Sequence, residues 1–325
     1  MAEKKFKWIF PENADSLLPD PDLILAFPST VIKQNPVRSV CKATNPENGE
    51  VFYIKYDTPR SFLKKCCNLF YSKSRQEFHA AGLLRKLNLP VIRYEACGER
   101  TSGSCLISRE IKNYCSAAQF WYALPSDDSA KTQRKKFIAA LTALLKTLNE
   151  NKILHPDFHL GNLMCNPNDP EKLLLPDPYG IRKACFRNVA AYNSIVVTNL
   201  AAEIRAEEGQ EILRATGADP ALWDNLLLKN KNMINAQWQR RMKQILTGNS
   251  KFSRTESING VEYQIRNSRW FAPVPFTPEA CKQVSMPKEE ALKIWLESFR
   301  KEMLYDIKGH PKAICIMDKD AILFY

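Results

Sequence analysis

No stretch of this 325-residue chain reaches the roughly 18 uninterrupted apolar residues that a membrane-spanning helix requires. The basic N-terminus, with Lys4, Lys5 and Lys7, has no apolar segment behind it, because Pro11, Glu12, Asn13 and Asp15 follow at once; no signal peptide is expected. The ten cysteines show no repeated metal-ligand spacing, and Cys66 and Cys67 are simply adjacent. Without a secretion signal they are expected to be reduced thiols in a cytosolic protein. There is no low-complexity run either. What is present is a globular composition, 45% hydrophobic and 25% charged, in a length that allows two lobes or domains. The net charge of +12 favours anionic partners: nucleotide phosphates, phosphorylated glycans, anionic lipid headgroups or nucleic acid. No recognition motif accompanies the basic residues, so nucleic acid is not the expected partner.

Residues 1–110 read as a small sheet with one prominent helix. Ser29 to Lys33, Val37 to Ala43 and Val51 to Tyr56 carry β-branched and aromatic residues, and Asn45-Pro46-Glu47-Asn48-Gly49 supplies turn chemistry between the last two. Gln76 to Leu87 places Phe78, Leu83, Leu84 and Leu87 on one side of a helix, and Pro90 stops it. Val91 to Cys97 and Ser104 to Ile107 form another strand pair. Residues 111–247 are mainly helical: Lys135 to Leu148 is strongly amphipathic, and 186–206 and 220–247 also read as helices. Residues 153–182 lack that periodicity. Residues 248–325 form a C-terminal extension, with a strand at Val261 to Ile265, a helix at Lys288 to Tyr305, and strands at Ala313 to Met317 and Ile322 to Tyr325. Helix then two strands echoes Glu77 to Ile107, which makes a partial second small lobe one reading of it.

The chemistry is concentrated in the non-periodic segment. Asp157 and Asn162 lie five residues apart, after His155, in a loop leaving a long helix; fifteen residues further on, Leu173-Leu174-Leu175 delivers Asp177. Phosphoryl transfer to a hydroxyl needs a carboxylate beside the acceptor oxygen, and a carboxamide oxygen with a second carboxylate to hold magnesium against nucleotide phosphates. Asp157 fits the first role; Asn162 and Asp177 fit the second, as catalytic and metal-binding residues. The same logic asks for a strand Lys paired with a helix Glu at the ATP phosphates, and Lys55 and Glu77 stand in that order. Singly these have bland alternatives: a solvated strand end, a first-turn acid complementing the helix dipole, a plain turn at Pro176-Asp177-Pro178. Zinc at His155, His159 and Cys165 is not expected, because Pro156 breaks a helical His pair and no second cysteine pair supplies ligands. His155 reads as a packing and hydrogen-bonding residue that holds the loop.

His155-Pro156-Asp157 with Asn162 resembles the kinase catalytic loop, and Asp177-Pro178-Tyr179-Gly180 resembles a variant of the Asp-Phe-Gly motif. The His-x-Asp-x-His-x-Gly-Asn form (His155, Asp157, His159, Gly161, Asn162) is similar to small-molecule kinases, above all the bacterial lipopolysaccharide-core sugar kinases that phosphorylate Kdo or heptose. The resemblance covers roughly residues 25–200. It implies an α+β, protein-kinase-like two-lobed fold, with ATP and Mg2+ as cofactors and a sugar or glycolipid as substrate. The site would lie in the cytoplasm or at the inner face of the cytoplasmic membrane. Lys64, Lys65, Lys73 and Arg75, interleaved with Phe62, Leu63, Leu69 and Phe70, are candidates for contact with an anionic membrane surface. Two departures stand out. The turn between the first two strands contains no glycine, and Pro178 replaces Phe. Kinases of aminoglycosides or amino-alcohols share the loop, and a pseudokinase or binding module without turnover is the alternative from another class.

Overall fold

A computed structural model describes residues 5–13, 18–35, 37–59, 71–125, 128–184, 189–248, 250, 252–267, 275–302 and 310–325. The described chain divides into two compact units: 1–32 with 36–230, and 33–35 with 231–325.

The first unit opens with strand β1 (Lys7–Ile9), helix α1 (Pro21–Ala26), and strands β2 (Ser29–Asn35), β3 (Arg38–Thr44) and β4 (Val51–Asp57). Helix α2 (Lys73–Lys86) and strands β5 (Tyr94–Arg100) and β6 (Gly103–Arg109) follow, giving a six-stranded sheet in the order β1-β5-β6-β4-β3-β2. Alternation along β4 sorts its side chains by face. Phe52 and Ile54 join Ile24 and Phe27 in one apolar cluster, whereas Lys55 and Asp57 share the opposite face. Helix α2 begins three residues before the expected Gln76, because Ser72 caps it by accepting the N–H of Arg75 at 3.0 Å. Asn88 then adopts φ +55° before Pro90, a left-handed residue of the kind that ends helices.

Strand β7 (Cys115–Ser116) and helices α3 (Ala117–Ala123) and α4 (Lys131–Glu150) continue the unit, then the loop segment carries β8 (Ile153–Leu154), a 3-10 turn at Leu160–Asn162, β9 (Met164–Asn166), β10 (Asp169–Leu174) and β11 (Arg182–Lys183). Phe137, Leu141, Leu144, Leu145 and Leu148 of α4 are buried in a core that also holds Phe158, Leu160 and Leu163 of that segment. Each fully buried side chain of this kind contributes roughly 1.5–3 kcal/mol, so the loop is anchored by its own apolar residues.

The helix expected over 186–206 is not formed as one element. Residues 185–188 lie outside the described residues; then come a five-residue helix α5 (Val189–Asn193) and a 3-10 run at Ser194–Leu200. Ile195, Val196, Val197 and Thr198 are β-branched, and Ser194 and Thr198 hydroxyls bond back to the carbonyls of Ala190 (2.7 Å) and Ile195 (2.6 Å). Both features oppose a regular α-helix. Helix α6 (Ala206–Ala215), which the pattern did not single out, follows, and the expected 220–247 helix is α7 (Trp223–Leu246). These elements make an α+β fold: a small antiparallel sheet with one helix, then a mainly helical part.

The second unit is a five-stranded antiparallel sheet, β12 (Ser253–Ile258), β13 (Val261–Arg266), β14 (Gln283–Pro287), β15 (Ala313–Ile316) and β16 (Asp320–Phe324), in the order β12-β13-β15-β16-β14. Helix α8 (Lys288–Glu302) packs on β14, β15 and β16. Strand β16 lies between β15 and β14, as β6 lies between β5 and β4, so strand–helix–strand–strand has one pairing order in both units. Strand β14 carries no charged residue where β4 carries Lys55 and Asp57.

Candidate active site

Lys55 Nζ lies 2.6 Å from Glu77 Oε1 and 3.1 Å from the Tyr94 hydroxyl, and donates to the carbonyl of Pro176 at 3.3 Å. Glu77 is fully buried, which by itself would raise its pKa. Lys55 and Arg38, with the hydrogen bonds from Lys55 and Tyr94, outweigh that and hold it at about 2. The Tyr94 hydroxyl donates to the same Glu77 oxygen, and its own ionisation is pushed well up by burial and by the adjacent carboxylate. The second Glu77 oxygen receives Arg38 Nη2 at 2.6 Å. Asp177 stands beside this cluster, 4.0 Å from Lys55 Nζ and 3.7 Å from Arg38 Nη1.

The loop after β8 holds the second group. Asn162 Nδ2 donates to both the carbonyl and Oδ2 of Asp157, each at 2.9 Å. The Asp157 carboxyl is held below its ordinary range, first by the hydrogen bond from His159 and then, against partial burial, by the charge of His159 and the Asn162 amide. His159 itself is positioned by accepting the N–H of Gly161 at its Nδ1, 3.0 Å away. Asp157 is exposed to solvent.

Two asparagines from the 189–200 segment brace this loop. Asn193, fully buried, accepts the His155 N–H at 3.0 Å and donates to the Ile153 carbonyl at 2.8 Å and to Asn149 Oδ1 at 2.9 Å. Asn199 Oδ1 accepts the Leu160 N–H at 3.3 Å. The His155 ring supplies packing only. It stacks on Phe158 with centroids 4.6 Å apart, and neither ring nitrogen has a hydrogen-bond partner among the described residues. Packing and hydrogen bonding at His155 are divided between ring and backbone: the ring packs on Phe158, and the N–H bonds to Asn193. Burial pushes the imidazole down to about 4.

The two groups are tied together through backbone. Strand β11, just past Asp177, pairs with β8, just before His155, and Leu175 exchanges hydrogen bonds with Pro90 (2.8 Å) and Ile92 (3.0 Å) after α2. Gly180 has φ +77°, and a Cβ there would lie 3.0 Å from Pro156. The Asp177 turn therefore rests directly on the Asp157 loop.

All five expected residues, Lys55, Glu77, Asp157, Asn162 and Asp177, belong to this region of one unit. Arg38, Asp57, Tyr94 and Asn193 were not singled out by the sequence. Asp57 lies two residues from Lys55 on β4, and only the β3–β4 register sets Arg38 opposite it. Of the four basic residues expected at a membrane, Lys64 and Lys65 lie outside the described residues. Arg75 is paired with Glu99 at 2.7 Å, and Lys73 sits 4.4 Å from the centre of the Tyr179 ring and 3.9 Å from Asp57. Among the described residues, no helix is long and apolar enough to cross a membrane.

No family model matches the chain, and no curated protein matches it. Among solved structures it is similar to WaaP in complex with acyl carrier protein, at 14% identity and a TM-score of 0.49, covering 73% of this chain and 98% of that one. It is also similar to the autoinhibited serine kinase domain of the giant muscle protein titin (10% identity, TM-score 0.41, 57% of this chain and 64% of that one). A third is Rad53 1-466 in complex with AMP-PNP (16% identity, TM-score 0.37, 63% and 52%).

Proposed function

We propose that this chain is a magnesium- and ATP-dependent phosphotransferase acting on a sugar hydroxyl, with Kdo or heptose of the lipopolysaccharide inner core as the acceptor class. The observation that carries the reading is that Glu77 and Asp177 both come within 4.0 Å of Lys55 Nζ, beside a loop in which Asp157 and Asn162 are hydrogen-bonded. The acceptor class rests on the resemblance of the His155-to-Asn162 segment and suits a basic chain of net charge +12.

The residues present fit a hard cation. Asn162 uses its Nδ2 on Asp157, and no hydrogen bond engages its Oδ1 among the described residues; that oxygen and the half-exposed Asp177 carboxylate are the donor types magnesium takes. When bound there, the ion would neutralise charge on the transferring phosphoryl group. Lys55, held by Glu77, binds nucleotide phosphate. Asp157, ionised across neutral pH, accepts the hydrogen bond of the acceptor hydroxyl, orients its oxygen toward the γ-phosphorus and takes its proton as the new P–O bond forms and the bond to ADP breaks. We further read residues 248–325 as a partial second small lobe, in which strand β14 lacks the charged residues that β4 carries.

The test is phosphate transfer from ATP with magnesium, using lipid A–core, free Kdo, an aminoglycoside and water as acceptors, for the wild type, Asp157→Ala and Asp177→Ala. Transfer to the core glycolipid that both variants lose supports the proposal. Transfer to the aminoglycoside alone overturns the acceptor class, and no transfer together with no magnesium-dependent nucleotide binding overturns the phosphotransferase reading.

A further inference from the structure

Arg38 touches three carboxylates. Its Nε and Nη2 meet Asp57 at 3.0 and 3.1 Å, its Nη2 meets Glu77 at 2.6 Å, and its Nη1 points toward Asp177 at 3.7 Å. The side chain is only 12% exposed. Burial alone would lower its pKa, but Glu77, Asp57 and Asp177 outweigh that and hold the guanidinium charged. A lysine offers one compact ammonium and could not span three acids; the planar fork with five donors can.

Its place in the fold is as informative as its contacts. Arg38 is the first residue of β3, directly after the turn that in this chain contains no glycine. The β3–β4 register sets it opposite Asp57, and Asp57 shares a face with Lys55. Two cations, on neighbouring strands, therefore reach the same two acids: Glu77 from the helix and Asp177 from the far lobe.

We propose that Arg38 is a positioning residue for Asp177: it ties that carboxylate to Glu77 and Asp57 of the small lobe, and so presets the metal-binding side of the cleft from the strand that follows the glycine-free turn. This rests on the phosphotransferase reading above. Arg38 acts through Asp177 and Glu77, not on the reacting atoms. Its effect is therefore on how readily the nucleotide–metal pair is held, not on the acceptor.

The experiment is binding of ADP to the full chain, followed by calorimetry over a magnesium titration, with thermal melting as a second readout. It compares the wild type, Arg38→Lys, Asp57→Asn and Asp177→Ala. Arg38→Lys keeps a charge but loses the fork, and is expected to raise the magnesium concentration for half-maximal ADP binding by about tenfold, the lower end for loss of a group that orients a metal ligand. Asp57→Asn keeps Arg38 but loosens its hold, and is expected to shift the same midpoint by a smaller factor. In the turnover assay the KM for the acceptor stays within twofold in both. A lower melting temperature with an unmoved magnesium midpoint in both variants makes Arg38 merely structural and overturns the inference alone. Wild-type binding that ignores magnesium or Asp177 overturns the phosphotransferase reading, and the inference with it.

Discussion

The Glu77 carboxylate lies 2.6 Å from the ammonium of Lys55, a residue 22 positions earlier, and neither side chain has a way to reach water freely: Glu77 is fully buried and Lys55 is 16% exposed. A buried ion pair of this kind is weak evidence for stability as such, since desolvation offsets much of the attraction. Removing one partner is another matter, because the survivor is left charged and unpaired. Glu77→Gln takes the 2.6 Å carboxylate partner from Lys55 and one of three carboxylates from Arg38, which keeps Asp57. It is expected to destabilise the first unit by about 3–5 kcal/mol, measured as a shift in the urea midpoint. A loss below about 1 kcal/mol would show that these charges are solvated.

Asp157→Asn keeps the shape of the loop and its apolar anchors but removes the carboxylate. Turnover is expected to fall by about two to four orders of magnitude, with melting temperature within a few degrees of wild type. Retained turnover assigns the acceptor side of the reaction to another group.

His155 gives the fold a pH signature. Burial pushes its folded pKa down to about 4, below the ordinary imidazole value of 6.5, so the unfolded chain binds the proton more readily than the native one. Stability from this group is whole above pH 6.5 and is lost as pH falls toward 4. Glu77, at about 2 against 4.5, is also depressed, so its stability is present above 4.5 and drains away in the lower window. His155→Phe, which keeps the stacking on Phe158, is therefore expected to flatten the decline between pH 6.5 and 4 and leave the decline below 4.5 in place. Melting temperatures of both proteins across pH 3–8 check this; parallel curves would contradict it.

Asn193→Ala removes the acceptor for the His155 N–H and the donor to the Ile153 carbonyl in one change. Leaving buried groups unsatisfied costs about 1–3 kcal/mol each. The expected result is a loss of that order, with faster hydrogen exchange at residues 153–163 than in the rest of the helical lobe. Uniform exchange acceleration would mean that Asn193 does not brace the loop in particular.

Gly180→Ala tests whether the Asp177 turn must rest on the Asp157 loop. A positive φ and a Cβ contact of 3.0 Å with Pro156 both oppose the substitution. About 1–2 kcal/mol is expected for the backbone conformation alone, with reduced magnesium-dependent nucleotide binding because Asp177 shifts with the turn. Unaltered binding would uncouple the two loops.

Much of the site is legible in the chain because its chemistry is carried by short local spacings. Asp157, Asn162 and Asp177 stand within 21 positions of one another, and the strand and helix that carry Lys55 and Glu77 show in the apolar pattern. Arg38 and Asn193 do not show this way. Their partners Glu77 and His155 are 39 and 38 residues away, and a lone Arg or Asn in a strand or helix is ordinary until the register brings an acid or an unpaired amide to it. The 186–206 segment misled for a related reason: apolar residues at helical spacing also suit a buried 3-10 run when most of them are β-branched.

By itself, then, the amino-acid order determined most of the local elements and which residues are candidates for phosphoryl chemistry, because alternation, capping and loop residues act over a few positions. Only the tertiary structure decided that Lys55, Glu77, Arg38 and Asp177 share one cluster and that the His155 ring is buried with neither nitrogen hydrogen-bonded among the described residues. Burial and cross-strand register are properties of the packed chain, and they set both the charges and the partners at this site.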